Sequence, residues 1–182
     1  MKSVLISIRP EWCELIASGK KTIEVRKTVP KLETPFKCYI YETQGKTEVP
    51  WMDEEGHMIF RGRGMVIGEF ECKDVLDFTL DPYGHHEYFI SDDDLEASCL
   101  TYEELWNYGK GKTLYGWYIS DLKIYDKPKP LSKFYTWKKC NSCRTTGYES
   151  SACIYDEDCK VPAIITRPPQ SWCYVEGRIE NA

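Results

Sequence analysis

The sequence predicts an α+β fold: a small β-barrel with short helices at its ends. Three observations lead there. Apolar and polar residues alternate over several separate stretches, which is the period of a half-buried strand. The helical stretches between them are short and carry their own caps. Strand also follows strand too closely for the crossover helices of a parallel α/β sheet, which favours a small barrel plugged at its ends. The 182 residues suit one domain, and 42% apolar with 14% aromatic residues supply a sizeable core.

The elements follow in order. Ser3 to Ile8 reads as a buried strand rich in Val, Leu and Ile. Arg9-Pro10 stops it, and Pro10 suits the first turn of a helix with Glu11 and Glu14 near its positive end. Trp12, Leu15 and Ile16 give that helix one buried face, and Gly19 is its left-handed cap. Thr22 to Arg26 alternates as a strand, and Phe36 to Tyr41 is the next. Gln44 to Arg61 is a polar excursion with Met58 to Arg61 as its return strand, and Arg61-Gly62-Arg63-Gly64 reads as a plain turn. Met65 to Leu76 is a long strand with a bulge at Gly68. Asp81 to Gly84 is a turn, and the adjacent His85 and His86 are poor joint metal ligands because neighbours in a strand point to opposite sides. Ser91 caps a helix whose first turn holds Asp92, Asp93 and Asp94, and Thr101 with Glu104 forms a capping box for a second helix reaching about Tyr108. Leu114 to Tyr125 is the clearest strand, with a change of side around Ser120-Asp121, and Asp126 to Pro130 ends it. Trp172, Tyr174 and Val175 form a closing strand, with Cys173 a core residue. The organisation expected is a barrel over 1–135, a Cys-rich insertion over 136–166, and a closing strand and tail over 167–182.

The chemistry concentrates in Gly19 to Lys27. Lys21 lies at the entry to a strand that carries Thr22, Glu24 and Arg26 on one face and Ile23 and Val25 on the other. A lysine, a glutamate and an arginine then share one space, suited to an anion or a proton transfer. Spacing alone favours the other reading, a solvated charged face of a sheet. The net charge of −5 and pI of about 5.3 exclude a strong bulk grip on nucleic acid. The charge is uneven, however. Met1 to Lys31 holds seven Lys/Arg against three acids, whereas Asp81 to Tyr108 holds eight acids and no Lys or Arg. That fits a local anion site better than a long basic groove.

Nine cysteines, an odd number, argue against a purely disulfide framework. No secretory signal is visible and no apolar run reaches a membrane span, so a reduced, cytoplasmic setting is the expectation, with no membrane partner. There Cys140 and Cys143 have the two-residue spacing that lets two thiolates grip one zinc, and Cys153 and Cys159 complete a structural four-thiolate set. Scattered free thiols are the main alternative, and a disulfide or redox role is the third. A metal would order a segment with little core of its own.

Gly19 to Arg26 fits the Gly-x-Lys-x-x-Glu-x-Arg signature of the ASCH domain, a branch of the PUA-like β-barrel superfamily. Ile6 to Trp12, Gly116 to Leu122 and Pro168-Pro169-Gln170-Ser171-Trp172 agree with it, the last resembling bacterial and phage members with an added Cys-rich segment. The resemblance implies a PUA-like mixed, curved β-barrel with a cleft beside the signature strand that binds RNA or a modified nucleobase. Lys21 and Arg26 would meet phosphate or a base edge, Arg9 would stand at the same rim, and Trp12, Tyr41 or Trp117 would stack on a base. Glu24 would accept from an exocyclic amine or pair with a basic neighbour. Some small relatives resemble amidohydrolases of acylated cytidine, and others are reported as ribonucleases. The amidohydrolase pattern uses the signature lysine, a threonine three residues on, and a distant glutamate. Here Lys21 matches, but Glu24 stands at the threonine position, and the distant acid falls near Ser98 without a match. Were the protein an enzyme, Lys21 and Glu24 would be the catalytic pair, with Glu69 or Glu71 as a further partner. A protein-interaction role through the acidic segment and the aromatic surplus is a third class; the sequence names no protein partner.

Overall fold

The computed structural model describes residues 2–44, 51–52, 58–59, 62–80, 88–139 and 160–178. Most of the 44–61 excursion, His85 and His86, and the four cysteines Cys140, Cys143, Cys153 and Cys159 lie outside the described residues.

The chain opens with β1 (Ser3–Ile8), α1 (Pro10–Ala17) and β2 (Ile23–Arg26). Pro10 starts the helix and Gly19, at φ +75°, ends it in the left-handed region. Four backbone bonds turn the chain back, two of them from Lys20 and Lys21 N–H to Leu15 O, so the signature strand begins immediately. β3 (Phe36–Glu42), the short pair β4 (Trp51–Met52) and β5 (Met58–Ile59), and β6 (Met65–Leu80) follow. After β7 (Tyr88–Phe89) come α2 (Asp92–Ser98), α3 (Tyr102–Gly109) and β8 (Leu114–Lys129). A 3₁₀ turn (Leu131–Lys133) then leads to β9 (Phe134–Lys139), β10 (Lys160–Ile164), β11 (Trp172–Val175) and β12 (Gly177–Arg178).

The main sheet has the order β11-β1-β3-β6-β8-β2, with β7 on β6. Among the described strands of this sheet only β1 and β3 run parallel; the other pairs are antiparallel. The α+β class holds. The barrel does not close: β11 and β2 end the hydrogen-bonded path, and the sheet curves round to leave a seam between them. Two long strands supply the curvature. The β6–β8 pairing shifts register at Val66/Gly68, where the sequence places a bulge, and again opposite Asp121, which sits at φ +47° where the sequence changes side. Both strands outrun their expected ends. β8 continues through Pro128 to Lys129, and Val66 pairs with that last residue, so the proline does not stop the strand.

Three apolar clusters hold the layers. Val4, Ile6, Ile8, Cys38, Ile40, Phe70 and Trp117 line the concave face with Cys13 and Ile16 of α1. Leu5, Tyr39 and Tyr41 on the other face pack against Phe134, Ile165 and Val175. Ile23 and Val25 pack with Phe78, Tyr88, Leu105 and Leu114 beneath α2 and α3. β1 is therefore buried along its whole length, as its unbroken Val/Leu/Ile character requires. β9, β10 and β12 form a second, three-stranded sheet beyond the second cluster.

Both later helices are capped as their sequences specify. Ser91 accepts from Asp94 N–H, and Thr101 and Glu104 form the reciprocal box. The three aspartates serve the helix start. Asp94 also accepts from Tyr118 Oη at 2.5 Å, which ties α2 to β8 and pushes the phenol's pKa up to about 12. Among the described residues no group of three His, Cys, Asp or Glu is placed to hold a metal, and no helix is long and apolar enough to cross a membrane.

Candidate functional site

Strand β2 is buried on both faces. Its apolar residues face the helices. Glu24 pairs directly with Trp117 of β8, and opposed residues project to the same side, so Glu24 and Arg26 point inward to the seam. Lys21, Glu24 and Arg26 are only 2%, 6% and 7% exposed. The solvated-face alternative is thereby removed.

The triad is a chain of charges. Lys21 Nζ donates to Ser98 O at the end of α2 and lies 3.6 Å from Glu24 Oε2. Glu24 Oε1 meets Arg26 Nη2 at 2.9 Å. Arg26 Nη2 also donates to Ser7 O at 2.6 Å, and Nη1 reaches Ser171 Oγ at 3.4 Å. Arg26 therefore bridges β2, β1 and the segment before β11, spanning the seam with side-chain bonds where the sheet has none. Its Nε is buried without a partner among the described residues. Lys21 sits under the Trp12 ring, 5.0 Å from its centroid. Burial lowers the Lys21 pKa from 10.5, against the pull of Glu24.

Above the triad lies an open cleft of about 840 Å³. Lys21, Glu24 and Arg26 line its floor with Ser7 and Val25. Arg9 and Trp12 stand on the α1 side, Glu104, Asn107 and Tyr108 on the α3 side, and Pro168 to Ser171 form the wall toward β11. Three cations face two carboxylates here, leaving a positive excess. Arg9 is exposed at the rim and pairs with Glu11 at 3.7 Å.

Two of the expected aromatic walls are elsewhere. Trp117 is wholly buried in the concave cluster, edge-on to Phe36 at 5.6 Å and against Trp172 at 6.1 Å, so it supports the floor and offers no face for stacking. Tyr41 points to the opposite side of the sheet, into the cluster around Phe134. Trp12 remains, and the second aromatic is Tyr108, half-buried in the cleft with Lys27 Nζ 4.6 Å from its ring centroid. Burial raises its pKa. Sequence reasoning missed Tyr108 because α3 precedes the sheet contact that brings it round. A visible signal was its place at the end of a capped helix, one turn from Glu104. The Pro168–Ser171 wall was visible as a motif without its location. Ser7 fixes that wall by donating twice: its N–H to Ser171 O at 2.8 Å and its Oγ to Pro169 O at 2.7 Å.

A family model for the ASCH domain matches residues 6–127. Among solved structures, the crystal structure of ASCH from Zymomonas mobilis is similar with a TM-score of 0.51 and 18% identity, covering 94% of this chain and 86% of that one. A tyrosine-to-phenylalanine mutant of the Zymomonas mobilis protein gives 0.51 and 17%, over 96% and 90% of the two chains. A serine-to-alanine mutant gives 0.50 and 17%, over 94% and 87%. At these identities the likeness is one of fold. No curated protein matches the chain.

Proposed function

The chain belongs to the ASCH domain family, of the PUA-like superfamily, and from that premise we propose that it binds RNA or a modified nucleobase, one nucleotide entering the cleft at the seam. The family is generally associated with nucleic acid. The observation that carries the reading is the buried Lys21–Glu24–Arg26 triad on the floor of a cleft whose sides include Trp12 and Tyr108. Lys21 has three N–H donors; one goes to Ser98 O, and Glu24 at 3.6 Å is an ion pair rather than a hydrogen bond, so donors remain for a phosphate or base oxygen. Arg26 holds the seam and supplies charge. Trp12 and Tyr108 offer stacking surfaces, and Asn107 and Gln170 offer amides to a base edge.

Equilibrium binding of short single-stranded RNA, read by fluorescence anisotropy, tests this. A charge-assisted hydrogen bond contributes about 1.5–3 kcal/mol, so Lys21→Met is expected to weaken binding by roughly 10- to 150-fold. Absence of binding by the wild type, or undiminished binding by the variant, sinks the reading.

The hydrolase reading draws on one observation, a lysine whose pKa burial lowers beside a carboxylate. In it Lys21 stabilises developing negative charge and Glu24 is the general base. Glu24 is already engaged by Lys21 and Arg26 on its two oxygens, which leaves it poorly placed to take a substrate proton, so binding leads. Release of free acid from acylated cytidine, abolished by Glu24→Gln in a folded protein, would reverse that order.

A further inference from the structure

We propose that one face of the β9–β10–β12 sheet is a second nucleic-acid contact, a stacking platform for the single-stranded RNA that runs on from the cleft. The proposal rests on the cleft reading above and extends it to the flanking nucleotides.

The register defines the platform. Trp137 pairs with Pro162 and Tyr135 with Ile164, and residues two apart on a strand share a face. Tyr135, Trp137, Pro162 and Ile164 therefore lie together. The neighbouring Phe134 and Ile165 point the other way, into the second core cluster. Trp137 is 44% exposed and Ile164 51%, and the Tyr135 and Trp137 rings meet edge to face with centroids 6.0 Å apart. An indole, a phenol, a proline and an isoleucine form a contiguous apolar surface, which a lone exposed residue would not.

Charge selects the occupant. The whole chain carries −5, yet β9, β10 and β12 contain no acid, and of their four cations the register puts Lys139 and Lys160 on the platform's face and Lys138 and Arg178 on the other. Lys139 and Lys160 pair with each other, two residues along the strands from Trp137 and Pro162. Aromatic rings interleaved with cations match single-stranded nucleic acid, whose bases stack while its phosphates are neutralised. A purely apolar partner would gain nothing from the cations. Continuity with the cleft sets the path. β10 ends at Ile164, and Pro168 already lines the cleft; at most about 14 Å of extended chain separates them. A strand lying in the cleft thus has the platform within a few nucleotides.

The test compares two probes, a dinucleotide and a random-sequence RNA of about ten nucleotides, a length within the range of single-strand binding sites. The longer RNA is expected to bind the wild type more tightly. Trp137→Ala should weaken it at least about fivefold while leaving the dinucleotide unchanged, and Trp137→Phe should restore most of the loss. Replacing Lys139 and Lys160 together by Gln should lower the slope of log K against log salt by about 1.4, from roughly 0.7 per cation. This salt measurement and Trp137→Phe carry the test if Trp137→Ala lowers the melting temperature. The platform is overturned if Trp137→Ala binds the longer RNA as the wild type does. It is also overturned, with the cleft reading intact, if the wild type binds both probes equally. If the wild type binds neither, both readings fall.

Discussion

Lys21 holds a protonated amine where water is scarce, and this gives it a pH signature. Burial lowers its pKa from 10.5 in the folded protein. Between that lowered value and 10.5 the unfolded chain keeps the proton and the folded chain does not, so this residue makes stability rise with pH across the window. Affinity for an anion moves the opposite way, because the bound form needs the ammonium. The urea midpoint and the RNA affinity, each followed from neutral pH upward, are expected to show these opposed slopes in the wild type, and Lys21→Met should lose both. Parallel slopes would refute the assignment. The closeness of Lys21, Glu24 and Arg26 was legible because six residues contain them and a two-residue period aligns two of them. Their burial was not, since alternation separates faces without saying which meets solvent; α2 and α3, made some seventy residues later, cover the apolar side. Trp117 and Tyr41 failed for the same reason. An aromatic on a strand beside a site is on the correct side only if register and curvature agree, and both are tertiary properties.

At the level of elements, strong local signals survived. β1 has the bounds its composition implies, and the caps at Ser91 and Thr101 form as written. The ends of β6 and β8 did not, because each strand protects the other's edge and pairing carries both past the polar residues and Pro128 that would end an isolated strand. Helix α3 joins fold to site, since its first turn carries the box and its last carries Tyr108. Thr101→Ala removes the cap on Glu104 N–H and is expected to cost about 0.5–2 kcal/mol in denaturant unfolding. Hydrogen exchange should show the loss concentrated in α3, with RNA affinity falling as the Tyr108 side of the cleft loosens. A loss spread evenly over the sheet would contradict that placement.

Over the whole molecule, the second sheet explains where the cysteine-rich stretch attaches. Lys139 pairs with Lys160, so the chain leaves β9 and rejoins β10 at adjacent positions about 5 Å apart. We propose that Cys140, Cys143, Cys153 and Cys159 hold a structural zinc there. Elemental analysis of the purified protein is expected to give about one equivalent, lost when Cys140 and Cys143 become Ser. Less than about half an equivalent in the wild type would count decisively against it.

The pairing of β1 with β11 has a consequence in time. Ser3 meets Val175, and the cleft wall from Pro168 to Ser171 belongs to the stretch that delivers β11. At about 5–20 residues per second, synthesis leaves one edge of β1 waiting roughly 9–34 s for its neighbour. During that interval the triad has been translated, but Ser171 has not yet arrived to meet Arg26. A nascent chain thus carries an unfinished cleft, whose far wall is the last part to be made.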